Sequence, residues 1–262
     1  MDKADIAALL AVGAALFIAI GDVIHQRSAH EVTDEPVGHV ELFTRLLRDR
    51  TWWLGSLVAA AGFGLQAAAL GLGSVLLVQA IFVSSLLFAL PMSAKLTRRR
   101  VTRWEWLWAV VLAGSVAVIV TVGNPQAGQS RASLQTWTVI VAVLGPALVL
   151  CLLGARIWAG PRSAVLLALV SGTLWGVFAV LTKGVVDQLG EGTWVLLRTP
   201  ELYALAAVAI AGTAFQQSSF RAGAMTASLP TMTVAEPVVA SVLGVVVLGE
   251  TLKTNGAGIF AL

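Results

Sequence analysis

The stretch SAVLLALVSGTLWGVFAVLT, residues 163–182, carries no charged side chain over its whole length. Coiled as an α-helix at about 1.5 Å per residue it extends roughly 30 Å, the thickness of a bilayer's hydrocarbon core. Arg162 stands just before it and Lys183 just after it, so charge returns where lipid would end. A helix satisfies its own backbone polar groups, and hydrocarbon offers them no other partner.

Runs of the same kind fall near 5–22, 52–70, 73–93, 104–123, 134–155, 202–219 and 224–249, which makes eight spans with the first. A ninth begins after Asn255 and is cut short at Leu262. Composition agrees: of 262 residues 58% are apolar and only 12% charged, with a mean hydropathy of +0.87. A soluble domain carries roughly a quarter charged residues. The expected fold class is all-α integral membrane, with about nine transmembrane helices.

The apolar run 6–20 resembles a secretory signal core, but GDVIHQ (21–26) follows it with no small-residue cleavage site, so it reads as a retained first span. The stretch GHVELFTRLLRDR (38–50) places Val40, Phe43, Leu46 and Leu47 at helical spacing, which predicts a short interfacial helix. His25, His30 and His39 share one polar stretch without metal-ligand spacing and read as solvated loop residues. Cys151, inside LVLCL (148–152), is the single cysteine and has no intramolecular disulfide partner.

Alternating crossings put Arg27, Arg45, Arg48, Arg50, Lys95, Arg98, Arg99, Arg100, Arg103, Arg156, Arg162 and Arg221 on one side and only Lys3, Arg131, Lys183, Arg198 and Lys253 on the other. Twelve against five assigns the first group to the cytoplasm and the N-terminus to the outside of a cell membrane. Trp52, Trp53, Trp104, Trp106, Trp137 and Trp158 cluster near the expected helix ends, at headgroup level. A net charge of +3 divided among loops gives no footprint for nucleic acid.

An internal repeat organises the chain. AGFGLQ (61–66) matches AGTAFQ (211–216), with Gly62 against Gly212, Gln66 against Gln216 and Gly73 against Gly223 at one constant offset. VGAALF (12–17) pairs loosely with SGTLWG (171–176). Residues 1–123 then form a first four-helix repeat, 134–155 a spacer helix, and 163–262 a second, incomplete repeat. With an odd spacer between them the two repeats have inverted topology, the arrangement of many alternating-access carriers.

The run AEPVVASVLGVVVLGE (235–250) resembles the Glu-Pro…Leu-Gly-Glu helix of EamA-type drug/metabolite transporters, and SGTLWGVFAVLTK (171–183) is similar to the helix that opens a repeat in that superfamily. The resemblance implies that the proline breaks the helix within the membrane and that the closing glutamate ends it. The polar loop after the first span, TWWLG (51–55) and the count of nine helices resemble the NIPA branch, whose characterised members carry magnesium. The chain departs from that branch in lacking its Asn-rich signature after Gln216 and in holding Met232 and Thr233 where the branch has a Tyr pair. The first repeat also ends in PMSAKL (91–96), without the closing glutamate.

Glu236 stands halfway along the span 224–249, where a carboxylate costs a few kcal/mol on insertion scales. Pro237 follows it and Pro230 precedes it by about two turns, so both are expected to break the helix and open carbonyls toward a cavity. Glu236 reads as a protonatable or cation-binding carboxyl in a transport path, or as a partner for its own broken backbone. Gln66 and Gln216 offer donors and acceptors to a solute, or hold helices together. Gln217 and Thr233, with Gln79, Ser84, Ser85 and Thr231, add polar lining to the same path or hold neighbouring helices together. Trp175 walls a cavity or fills a core. Asp22 and Lys183, near helix ends, snorkel to the interface or act as gate charges.

No Ser/His, HExxH or paired-Asp constellation lies in the spans and no phosphate loop is present, so neither an enzyme nor direct ATP drive is expected, and no cofactor. The expectation is a membrane transporter moving a small solute by alternating access, with proton coupling through Glu236. The alternatives are a divalent-cation transporter with Glu236 as its metal-facing group, and a membrane subunit that binds lipid or a partner protein. Partners expected are the solute or ion, membrane lipid and a second copy of the chain in a homodimer, with no nucleic acid.

Overall fold

The computed structural model describes residues 2–31, 39–96, 101–222 and 225–253. Its helices are α1 (Lys3–Glu31), α2 (His39–Leu46), α3 (Arg50–Leu72), α4 (Val75–Phe82), α5 (Ser85–Leu96), α6 (Arg103–Thr121), α7 (Leu134–Ile157), α8 (Pro161–Leu189), α9 (Thr193–Arg198), α10 (Pro200–Ala222) and α11 (Met225–Leu248). The strands β1 (Pro125–Gln126) and β2 (Thr251–Leu252) form one short antiparallel pair. The ninth span and Gly223 lie outside the described residues.

Among the described residues six helices are long and apolar enough to cross a membrane: α1, α3, α6, α7, α8 and α11. The fold is therefore that of an all-α, multi-pass membrane protein. Two expected spans take a different form. The run 73–93 is not one helix but two, α4 and α5, divided at Val83–Ser84. The run 202–219 is the long helix α10, whose Gln216, Gln217, Ser218, Ser219 and Arg221 make it more polar than the six. The segment near 38–50 does contain a short helix, α2.

Local chemistry sets the ends. Asp49 accepts from the Thr51 and Trp52 amides and starts α3, Ser74 accepts from Leu77 and starts α4, and Thr102 with Glu105 forms a capping box at α6. Gly160, at φ 69°, turns the chain sharply from α7 into α8, and Pro161 occupies the first turn of α8 where no amide is needed.

Both prolines of α11 lie inside a helix that runs without interruption from Met225 to Leu248, so the expected break at Pro230 and Pro237 is not what forms. Each proline removes one backbone donor, and the packing of α11 on α8 holds the helical course through the gap. Pro237 is buried and Pro230 exposed.

Small residues let the helices approach closely. A methyl group at Gly172 would sit 2.7 Å from Ala235 Cβ and 2.9 Å from the Met232 carbonyl oxygen, and one at Gly176 would sit 2.9 Å from the Glu236 carbonyl oxygen. The two α8 glycines, one turn apart, thus receive the backbone of α11 on either side of Glu236, as small-xxx-small faces do in membranes. Gly62 of α3 is equally close to α1, where a methyl group would sit 2.6 Å from Ile18 Cγ1, whereas Gly212 of α10 faces Trp175 and Leu174 of α8 at ordinary contact distances of 3.4–3.6 Å.

One end of the bundle is closed by charge. Lys183 Nζ lies 2.8 Å from Glu250 Oε1 and donates to the Gly73 carbonyl at 3.1 Å. Glu250 also accepts from the Val75 and Leu76 amides at 2.8 and 2.9 Å, capping α4 from a residue 175 positions away. Both side chains are buried. The β1–β2 pair and a 2.7 Å bond from the Gln129 amide to the Leu248 carbonyl cover the same end.

Two outcomes follow from this packing. Gly172→Leu has no room for its side chain and should lower the thermal unfolding midpoint in detergent or abolish the folded fraction in size-exclusion chromatography, whereas Gly114→Leu, with open space beside it, should leave both unchanged. Glu250→Ala strands Lys183 and two α4 amides, so a loss of about 3–5 kcal/mol should appear in denaturant titration; an unchanged midpoint would show that the pair contributes nothing.

Candidate functional site

The centre of α8 carries Trp175, buried at mid-helix. Its indole stacks on Phe63 of α3 with ring centres 4.9 Å apart and planes 15° from parallel, and meets Phe178 edge-on at 5.1 Å. The indole N–H donates to Gln216 Oε1 at 3.3 Å, and Gln216 Nε2 donates to Asp22 Oδ1 at 2.8 Å. One hydrogen-bonded line therefore joins α8, α10 and α1. Ser171, one turn before Trp175, donates to the Gly212 carbonyl at 3.0 Å and fixes α8 against α10.

Glu236 points inward from α11 and is 7% exposed. Its carboxyl lies within electrostatic range of Asp22 and faces the Gln66 carboxamide of α3, although neither amide atom of Gln66 closes a hydrogen bond of regular geometry. Among the described residues no Lys or Arg pairs with Glu236 or Asp22. The result is a polar layer of two carboxyls, two carboxamides and an indole, set against the aromatic wall of Phe63 and Phe178.

Five sequence candidates thus come together from five helices: Asp22, Gln66, Trp175, Gln216 and Glu236. Thr233 is buried one turn before Glu236 on α11. Gln217 is buried with both amide atoms unpartnered, and so is Gln79 of α4. Lys183 does not join this layer, and its burial in the pair with Glu250 excludes the snorkelling reading. Asp22 does not snorkel either, because α1 continues to Glu31 and turns the carboxyl toward Gln216. A second carboxyl thus stands within electrostatic range of Glu236.

His25 is the second correction. It is buried inside α1 rather than solvated in a loop, its Nε2 lies 3.0 Å from Ser56 Oγ, and its ring stacks on Trp52 at 5.5 Å. Ser28 donates to Asp49 one turn further on. Burial pushes the Asp49 carboxyl up, but bonds from Ser28 and from the Thr51 and Trp52 amides outweigh it and hold Asp49 below the usual carboxylate range. Sequence reading also missed Phe63, although it stands inside the repeated AGFGLQ block, and Glu250, although it closes the LGE motif. Neither residue has a local signal for its partner, which comes from a distant helix.

Among the described residues no three His, Cys, Asp or Glu side chains gather as a metal site. The arrangement can bind a cationic or hydrogen-bonding solute, or hold a proton, inside the helical bundle.

No family model and no solved structure matches the chain. A curated relative does: an uncharacterized protein of Corynebacterium glutamicum is 37% identical over 253 residues, covering 95% of this chain and 86% of the relative. At that identity, over nearly the whole of both sequences, the chain belongs to the same family as the Corynebacterium glutamicum protein.

Proposed function

We propose that this protein is a transporter that moves a small solute across the cell membrane by alternating access, with Glu236 as the carboxyl that solute and proton share. The observation that carries the reading is the inward-facing Glu236 in a layer with Asp22, Gln66, Gln216 and Trp175. Carboxyls are rare at this depth because hydrocarbon cannot solvate them, and where they occur they mark ion or substrate paths. Among the described residues no basic side chain neutralises these two, which leaves that part to a proton or to a cationic group on the solute. The aromatic wall beside them suits a cation, which is attracted to the face of an indole.

The proposal includes eight crossings, with α4 and α5 together as one and α10 as another, and a ninth helix after Asn255. The crossings form two inverted four-helix repeats with α7 as spacer, and the N-terminus lies outside. Two observations support it: the matched blocks around Gln66 and Gln216, and the excess of Lys and Arg on one side. The likeness to EamA-type drug/metabolite transporters is proposed on the same footing.

A second reading is favoured by the second carboxyl. A hydrated magnesium ion keeps several waters and needs one or two carboxylates, and Asp22 with Glu236 would supply two.

Reconstituted protein should take up one of a panel of cationic and amino-acid-like solutes, and Glu236→Gln should abolish that uptake with expression unchanged. Trp175→Phe keeps an aromatic face but loses the bond to Gln216, so uptake should weaken rather than vanish. Uptake that persists in Glu236→Gln at every pH would remove this carboxyl from the mechanism; magnesium flux in the same vesicles, with no organic solute moved, would select the second reading.

A further inference from the structure

The first five turns of α1 are apolar after its charged start, and the helix then carries Asp22, His25 and Ser28 at three-residue steps. Successive members of this file are about 4.5 Å apart along the axis, and the file winds slowly round the helix. Each member is bonded to a different neighbour: Asp22 to Gln216 of α10, His25 to Ser56 of α3, and Ser28 to Asp49 at the start of α3. At one end stands Asp49, half-buried between the exposed Arg48 and Arg50. At the other stands Asp22, within electrostatic range of Glu236.

Close packing of α1 on α3 does not need these groups. Gly21, Gly55 and Ala59 already bring the two backbones together, and apolar residues at 22, 25 and 28 would complete that seam without burying three polar side chains. At the opposite end of the bundle the Lys183–Glu250 pair and the β1–β2 strands close the way to Glu236.

We propose that Asp22, His25 and Ser28, with Gln216, Ser56 and Asp49 opposite them, form the aqueous path by which water and protons reach Glu236 from the end of the bundle where α1 finishes and α3 begins. Steps of this size are spanned by single bridging waters. A neutral imidazole at the middle of the file accepts a proton on one ring nitrogen and releases one from the other. The groups facing His25 are Ser56 and Trp52 from α3 and Asp22 and Ser28 from its own helix, while Arg27 lies on the exposed side of α1. The path rests on the reading of Glu236 as the transport carboxyl, yet it can be tested with no solute.

Cys151→Ser removes the native thiol, after which single cysteines at 22, 25, 28 and 56 are exposed to a small membrane-impermeant thiosulfonate from one face of oriented vesicles at a time. Asp22→Cys and His25→Cys should react from the face where α1 finishes and α3 begins at least about tenfold faster than Ala14→Cys, a packed position reached only by local opening, and not from the other face. Should Asp22→Cys fail to fold, Ser28→Cys and Ser56→Cys report the same path. Reaction from the opposite face, or rates equal to that at Ala14→Cys, overturns the proposal. Lost uptake in Glu236→Gln without labelling removes the path alone, and labelling with uptake intact in Glu236→Gln removes the transport role of Glu236 alone.

Discussion

Hydrocarbon solvates neither a carboxyl nor an amide, so a polar side chain placed at its centre must face other protein groups. Glu236 imposes that constraint on the whole bundle. Turned to lipid, it would be among the most unfavourable side chains in the sequence. Turned inward, it requires α11 to lie against α8, and the two glycines of α8 at 172 and 176 are what allow α11 to come so near. With α11 fixed there, Gln66 of α3 and Asp22 of α1 are drawn round the same carboxyl, and Gln216 closes the ring through Trp175. Five helices are oriented by one residue's need for polar company.

The same constraint explains why the two ends of the bundle differ. Lys183 and Glu250 are both buried, and each would be costly alone, but together they satisfy one another as well as the Gly73 carbonyl and two α4 amides. A pair so fully bonded holds its end shut. Among the described residues, the end where α1 finishes and α3 begins is held by hydrogen bonds between hydroxyl, imidazole, carboxyl and backbone groups and by no buried ion pair. Breaking one such contact costs far less than separating the buried ion pair.

Fold class was legible in the sequence because runs such as 163–182 have only one stable solution in lipid. Part of the buried polar layer was legible too, since Glu236, Gln66 and Gln216 are each polar residues that interrupt an apolar run. What escaped reading was pairing across the sequence. Nothing near Glu250 announces that it will cap a helix beginning at Val75, and the polar stretch after residue 20 conceals that α1 runs on to Glu31 and carries Asp22 and His25 inside. The division at Val83–Ser84 was hidden for the opposite reason, since an unbroken apolar run says how much lipid a segment tolerates and not where its helix bends.

The prolines sharpen the point. Pro237 lacks the amide that would bond the Thr233 carbonyl, yet α11 stays helical through it. If the proline instead broke the helix, Glu236 would gain freedom to swing toward lipid and the alignment with Gln66 and Asp22 would be lost. Continuity of α11 therefore keeps the carboxyl on the interior face, against the α8 glycines at 172 and 176.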